Sequence, residues 1–307
     1  YLMGVMTRAA FAKSLQDGLN AHFGLEYDQW PEEYSQIFQQ DNSDKAFEED
    51  VLLTGFGYAA EKAEGGEYAT DEGMEGWTKR YTARTVALSF EVTEEAIEDN
   101  RYMSLGAKYS TALARSMRQT KELYHANVLN NATSSSYLGG DGIVLLSTAH
   151  TLMGGGTASN TLSSGADLSE STLEQLLVTI RKTKDDRGLP AMIKPDRLVV
   201  PPDGEYNAIR ITKSDQRPDS ANNDVNAVRA KGVFKNMPFV MTNLSDTDSW
   251  YITTDCRDGL KTVNRTKMVI PKATIDPRTG NILYRARERY DEGFSNWRGL
   301  FGSMGAG

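Results

Sequence analysis

The side chains best suited to nucleophilic or acid–base work near neutral pH are three histidines, His22, His125 and His150, and one cysteine, Cys256. His150 follows Ser147-Thr148-Ala149 and lies near Asp141, an order that imitates a Ser–His–Asp hydrolytic set. No G-x-S-x-G accompanies it, so a structural histidine capping a loop is the better reading. Cys256, between Asp255 and Arg257, reads as a buried inert thiol. Alone it can neither close an internal disulfide nor build a cysteine zinc site. Asp185-Asp186 before Arg187-Gly188 reads as a helix end. There is no H-E-x-x-H, and without a Gly-Lys pair there is no phosphate loop. The best imitation of a cofactor site is Gly55-Phe56-Gly57-Tyr58-Ala59-Ala60, a G-x-G-x-x-A after strand-like Val51–Thr54, with Glu75 downstream. Such a fingerprint needs a following helix to receive a pyrophosphate. Gly65-Gly66 leaves room for roughly one turn. No catalytic residue, metal site or cofactor is expected, and the chain reads as structural rather than enzymatic.

The charge is distributed unevenly. The 307 residues carry 34 Lys+Arg against 42 Asp+Glu, a net −8. That balance excludes a general or sequence-specific nucleic-acid binder, which needs clustered bases. Residues 44–100 hold 15 acids and 5 bases, whereas residues 257–307 hold 10 bases and 5 acids. Complementary segments of this kind set register and partner choice when they meet. No apolar run approaches the ~20 residues of a membrane span. No secretory signal is visible, and the lone cysteine suits a reducing compartment.

The elements follow from periodicity. Phe11, Leu15, Leu19 and Phe23 form one i+4 stripe of a helix that Trp30-Pro31 should stop. With few other hydrophobes, residues 1–47 make an arm that must lie on something else. Residues 48–92 read as a long two-stranded hairpin, its second strand running from Trp77 through Tyr81 to the alternating Val86, Leu88, Phe90 and Val92. The Gly-rich acidic centre, 63–76, is its tip, and such a hairpin is marginal alone in water. Thr93-Glu94-Glu95 starts a helix that runs to Asn131 with an i+3/i+4 rhythm. After a loop-rich stretch, 171–255 read as an α/β unit with strands at 197–200, 239–242 and 250–253. Residues 257–290 return to extended patterning, in which Arg285, Arg287 and Arg289 share one strand face.

This order of parts resembles the major capsid proteins of tailed bacteriophages, whose fold is named for phage Hong Kong 97. The wording is most similar to the Mu-like major head subunits: VTEEAIEDNRY at 92–102, RSMRQTKELYHANVLNNA at 115–132, GGDGIVLLSTAH at 139–150, RLVVPP at 197–202, NNDVNAV at 222–228 and RERYDEGFSNWRGLFGSMG at 287–305. The resemblance implies an α+β fold with an N-terminal arm (1–47) and an extended loop (48–92). It also implies a peripheral domain with a spine helix (93–150 and 257–292) and an axial domain (151–256 and 293–307). Trp297, Phe294 and Phe301 should pack the chain end into the axial unit.

The implied function is self-assembly as pentamers and hexamers into an icosahedral shell around double-stranded DNA, held without sequence-specific contacts. Assembly would take place in the host bacterial cytoplasm, and the mature location is the virion. Portal, scaffolding, maturation protease and decoration proteins are the implied further partners, and no membrane is. A chain beginning at Tyr1 is compatible with removal of an N-terminal segment. The alternative on the same fold is an encapsulin-type bacterial compartment shell. Charge complementarity puts Glu64, Glu67, Asp71, Glu72 and Glu75 of the hairpin against Arg285, Arg287 and Arg289 of another copy, with Arg265 and Lys267 behind them. The competing arrangement pairs those arginines with Glu288, Asp291 and Glu292 nearby. Trp77 and Tyr81 are the expected hairpin anchors, and Phe11, Leu15 and Leu19 the arm's contacts. Lys62 and Lys79 flank the tip without an identifiable covalent partner, so no crosslink is expected there.

Overall fold

The computed structural model describes residues 23, 27, 29–93, 95, 102–216, 224–234, 236–270, 274–276 and 278–306. Phe11, Leu15 and Leu19 lie outside these, as do residues 96–101 of the expected helix start. In chain order the strands are β1 (Gln39–Asn42), β2 (Phe47–Leu53), β3 (Glu75–Thr82), β4 (Arg84–Val92), β5 (His150–Thr151), β6 (Thr157–Ala158), β7 (Pro195–Val200), β8 (Phe239–Val240), β9 (Trp250–Thr254), β10 (Leu260–Val269), β11 (Thr274–Ile275), β12 (Ile282–Phe294) and β13 (Leu300–Ser303). The spine helix spans Tyr102–Asn130, roughly 43 Å at the α-helical rise.

Two sheets organise the α+β fold. The five-stranded one runs β1-β10-β12-β11, with β4 also on β12. β12 is its centre because its residues alternate cleanly. Tyr284, Ala286, Glu288 and Tyr290 are buried under the spine helix, and Arg285, Arg287 and Arg289 face the other way. The four-stranded sheet runs β13-β9-β7-β8. Its middle is buried on both faces. Val199 and Tyr251 join Leu129, Leu145 and Phe294 on the spine-helix side. Leu198, Val200, Trp250 and Ile252 join Leu173, Leu176, Ile180, Ala208 and Ile211 from the helices Glu170–Lys182 and Glu205–Lys213. Trp297 and Phe301 pack in this second cluster, while Phe294 belongs to the first.

The expected hairpin is shorter than its sequence pattern. Only β2 and β3 pair with each other; β4 instead runs antiparallel to β12, from Val92 opposite Ile282 to Arg84 opposite Tyr290. The chain turns at Thr82-Ala83, where the Thr82 N–H donates to Asp291 Oδ2 at 2.8 Å and Arg289 donates to the Ala83 carbonyl at 3.3 Å. Alternation in Val86–Val92 therefore reports a half-buried sheet strand over Phe23 and Met117, not the second arm of the loop. The arm likewise has a place within its own chain: Gln39–Asn42 pairs in parallel with Lys261–Asn264.

Candidate functional site

The hairpin base is held by a relay of polar groups, of which Lys261, Tyr81 and Ser295 are buried. Lys261 Nζ lies 2.8 Å from Asp41 Oδ2 and 2.8 Å from Asp50 Oδ1. Ser295 Oγ donates to Asp50 Oδ2 at 2.6 Å, and the Tyr81 hydroxyl, also 2.6 Å from Ser295 Oγ, donates to it in turn. Burial pushes the Tyr81 phenol well above its ordinary range. The Trp77 ring lies on Gly140, where a Cβ would stand 2.0 Å from the indole, and Lys79 donates to the Leu138 carbonyl at 2.6 Å. Trp77 and Tyr81 thus have partners inside the subunit. They anchor the hairpin base to its own chain, because the β3 face that carries them rests on the end of β12.

Beyond Thr54 and Met74, which close the ladder with three hydrogen bonds, the tip has little internal support. Glu64, Glu67, Glu72 and Glu75 are exposed and make no ion pair with a described residue. Asp71 differs: it accepts the Gly57 N–H at 2.7 Å and forms an ion pair with Arg187 of the same chain. Those bonds, the one from Arg187 first, hold its carboxyl below the usual range. Phe56, Tyr58 and Tyr68 are 66 %, 73 % and 83 % exposed. Their part in this surface was missed in the sequence because Gly55–Ala60 imitates a nucleotide loop. The usable signal was three aromatics in an acidic, Gly-rich stretch with no apolar partners. Residues 54–63 contain no helix, so no pyrophosphate seat follows Gly55–Ala60.

The basic face is well formed. Across β4, Arg285, Arg287 and Arg289 stand opposite Ser89, Ala87 and Thr85, all small. Nearby acids are engaged elsewhere: Glu288 with Lys121 at 3.3 Å, Glu292 with Arg84, and Asp291 with the Thr82 N–H. Local neutralisation is thereby removed, and Arg285 and Arg287 have no ion pair with a described residue. Arg265 is half-buried, and Lys267 departs from the expected group. Irregular register in β10 after Asn264 turns Lys267 into a cleft on the spine-helix side, beside Lys121, Glu288 and Phe23.

The described part of the arm is clamped to the spine helix by residues one helical face apart, Arg118, Glu122 and His125. Arg118 pairs with Glu32 and lies 3.9 Å over the Tyr27 ring. The two Glu122 oxygens accept the Glu33 and Tyr34 N–H groups, each at 3.0 Å. Burial pushes the Glu122 carboxyl up to about 7. His125 stacks on Tyr34 with centroids 4.0 Å apart. Its Nδ1–H donates to the Lys121 carbonyl at 2.7 Å, and Nε2 accepts from Thr262 at 2.8 Å. Burial pushes it down to about 3, so it is a neutral structural ring.

His150 is also structural. It is buried against Trp297, 2.6 Å from Asp141 and 3.2 Å from Asn160, and Ser147 is not among its partners. Burial pushes the Cys256 thiol up to about 11, away from nucleophilic use. Among the described residues no group of three metal-ligating side chains occurs, and no helix is long and apolar enough to cross a membrane.

The base is thus locked to its own subunit, while Glu64, Glu67, Glu72 and Glu75 at the tip and Arg285 and Arg287 on β12 pair with no described residue. Solved structures share the fold. The virus-like particle protein of Pyrococcus furiosus aligns over 94 % of this chain and 98 % of its own, with a TM-score of 0.53 and 11 % identity. The bacteriophage JBD30 procapsid protein aligns over 97 % and 76 %, with a TM-score of 0.55 and 15 % identity. A phage-related protein of Bordetella bronchiseptica RB50 aligns over 93 % and 96 %, with a TM-score of 0.52 and 13 % identity. No curated protein matches the sequence significantly. The architecture is the Hong Kong 97-like capsid fold, and the model of the family described as phage capsid protein matches residues 75–302. The chain belongs to the phage capsid protein family and is a capsid shell protein.

Proposed function

We propose that this chain is the major head subunit of a tailed bacteriophage, of the Mu-like branch. It assembles as pentamers and hexamers into an icosahedral shell that encloses double-stranded DNA. The observation that carries the reading is the pairing of two unsatisfied surfaces on one chain. The acidic tip, with Glu64, Glu67, Glu72 and Glu75, finds no base among the described residues. The β12 face, with Arg285 and Arg287, forms no ion pair with a described acid. The tip of one copy answers the strand face of the next, and Phe56, Tyr58 and Tyr68 supply the aromatic contact that interface centres favour. Asp71 is engaged by Arg187 and contributes to posture rather than to the neighbour. Phe11, Leu15 and Leu19 of the arm provide a further contact with a second copy. The net −8 suits a container whose wall does not grip its DNA.

Electron microscopy of the purified protein tests the reading. Closed uniform shells support it, and monomers under all assembly conditions defeat it. The fold shared with the Pyrococcus virus-like particle favours a second reading, a compartment shell of encapsulin type. Particle contents separate the two, DNA for the first and cargo protein for the second.

A further inference from the structure

Of the described hydrogen bonds and ion pairs made by residues 55–73, the one that leaves the hairpin tip joins Asp71 to Arg187, 116 residues further along the chain. The two sides of this contact are built differently. Arg187 is presented by a fixed turn. The Asp185 carboxylate accepts the Arg187 and Leu189 N–H groups, each at 2.9 Å. Asp186 is buried and paired with Arg298 at 3.1 Å. The Arg187 backbone is therefore held whether or not Asp71 is present. Asp71 stands on the side that can move. Its Oδ2 accepts the Gly57 N–H at 2.7 Å, which ties the two limbs of the tip into one body. Between that body and the ladder end at Thr54 and Met74 stand Gly55 and Gly73, one on each limb. A Cβ on Gly55 would meet nothing within 4 Å. A pair of glycines at one level lets both limbs bend together.

Opening this contact leaves no buried charge behind. The Asp71 side chain is 40 % exposed and that of Arg187 20 %, so water reaches both once they part. Exposed pairs of this kind contribute little to folding. The closed and open tips therefore lie close in free energy, which is what a two-state element requires. We propose that the Asp71–Arg187 pair is an autoinhibitory latch, which holds the tip on its own subunit and opens before the tip docks on a second copy.

The latch rests on the function proposed above, in which the tip of one copy meets β12 of the next. One contact within the chain then competes with several between chains. The internal contact needs no encounter and prevails in the dilute subunit. At assembly concentrations Glu64, Glu67 and Glu72 engage Arg285 and Arg287 together, and a multivalent contact overtakes a single one. The latch thereby raises the concentration at which shells nucleate and leaves the finished shell unchanged. It also gives Asp71 a role distinct from that of the other tip acids, which pair with no described residue.

The test compares the unaltered full chain with Arg187→Gln, Asp71→Asn and the double variant. Asparagine keeps an acceptor for the Gly57 N–H, so the tip's own closure is preserved. Light scattering follows assembly from unassembled subunits, and trypsin cleavage after Lys62 reads the tip before assembly. Each single variant should be cleaved faster and should assemble after a lag shortened about two- to five-fold, with shells of the same appearance in negative stain. The double variant should match the singles, because all three remove one contact. A lag in Arg187→Gln equal to or longer than that of the unaltered chain overturns the latch. Additive effects in the double variant overturn it as well, since the two residues would then act through different partners. Unaltered protein that forms no shell under any condition defeats the proposed function and the latch with it. Shells formed by all four proteins after the same lag overturn the latch alone.

Discussion

At the base of the hairpin Tyr81 is 1 % exposed and its hydroxyl enters a relay through Ser295 and Asp50 to Lys261. At the tip of the same hairpin Tyr68 is 83 % exposed, with only Lys62 4.9 Å over its ring. The residue type is the same, and the difference is what the rest of the chain offers. The base lies on β12 and the 138–140 loop, so its polar atoms find partners in the subunit. At the tip Asp71 is held by Arg187, while Glu64, Glu67 and Glu72 pair with no described residue and Phe56, Tyr58 and Tyr68 stay exposed. A strand pair of this length is marginal by itself, and this one is stable at the end that touches its own fold. The base of the hairpin serves subunit stability, and the function proposed above gives its tip to assembly.

The comparison breaks most directly at Tyr81. Tyr81→Ala should cost about 3–5 kcal/mol of subunit stability, as for other large buried aromatics, read from denaturant unfolding of the unassembled chain. A cost below the surface range of ~0.5 kcal/mol would mean that the base is not anchored within the subunit. Gly140→Ala places a methyl group against Trp77 and should cost about 1–3 kcal/mol by overpacking, with Trp77 fluorescence reporting the displaced ring. The tip should behave oppositely. Reversing Glu64, Glu67 and Glu72 together to Lys should leave subunit stability within ~0.5 kcal/mol and abolish closed shells in negative-stain images. Arg287→Glu should weaken assembly from the other side, and combining it with the reversed tip should recover shells. Unchanged shell yield for Arg287→Glu sinks the contact between copies.

The smallest effect concerns the arm. The Glu122 carboxyl is raised to about 7 in the folded chain, by burial first and Glu33 in part, against Arg118 and two backbone N–H groups. The folded state thus holds a proton that the unfolded chain releases above about 4.5. Stability from this group is complete below that value and is lost as pH rises through about 7. Unfolding midpoints should fall between pH 5 and pH 8, and Glu122→Gln should flatten part of that slope. Glu288 and Asp291, also raised, act in the same direction, whereas His125, held low by burial, acts in the opposite direction below about 6.5. An identical slope in the variant removes Glu122 from the account.

Local patterns were legible where one face of an element meets one environment. Ser169 and the Leu173, Leu176, Ile180 stripe make the Glu170–Lys182 helix, with the cap closed by Thr172. The alternation of Arg285, Arg287 and Arg289 with Tyr284, Ala286, Glu288 and Tyr290 places the basic face on β12. Patterns failed where environments change within a run. Tyr81 and Val86 both alternate correctly, yet Thr82-Ala83 hands the chain from one sheet to another, and period two is blind to which partner a strand chooses. Lys267 was misplaced by irregular β10 pairing, which moves a side chain to the other face without a mark in composition. Arg118, Lys121, Glu122 and His125 carry no sequence mark of burial and are buried, because their partners come from 27–38, 262–264 and 288–290.

By itself the sequence determined the inventory: no catalytic set, an acidic segment and a basic one far apart, the spine helix, and a hairpin without its own core. These depend on residue type and short-range period, which a chain carries wherever it goes. The tertiary structure decided which charges are already satisfied and which are left over. Asp71 is claimed by Arg187 and Tyr81 by Ser295, while Arg285 and Arg287 have no ion pair with a described residue because Glu288 and Glu292 turn to Lys121 and Arg84. Pairing is a property of position in space, and residues distant along the chain compete for the same partner only after folding brings them to it.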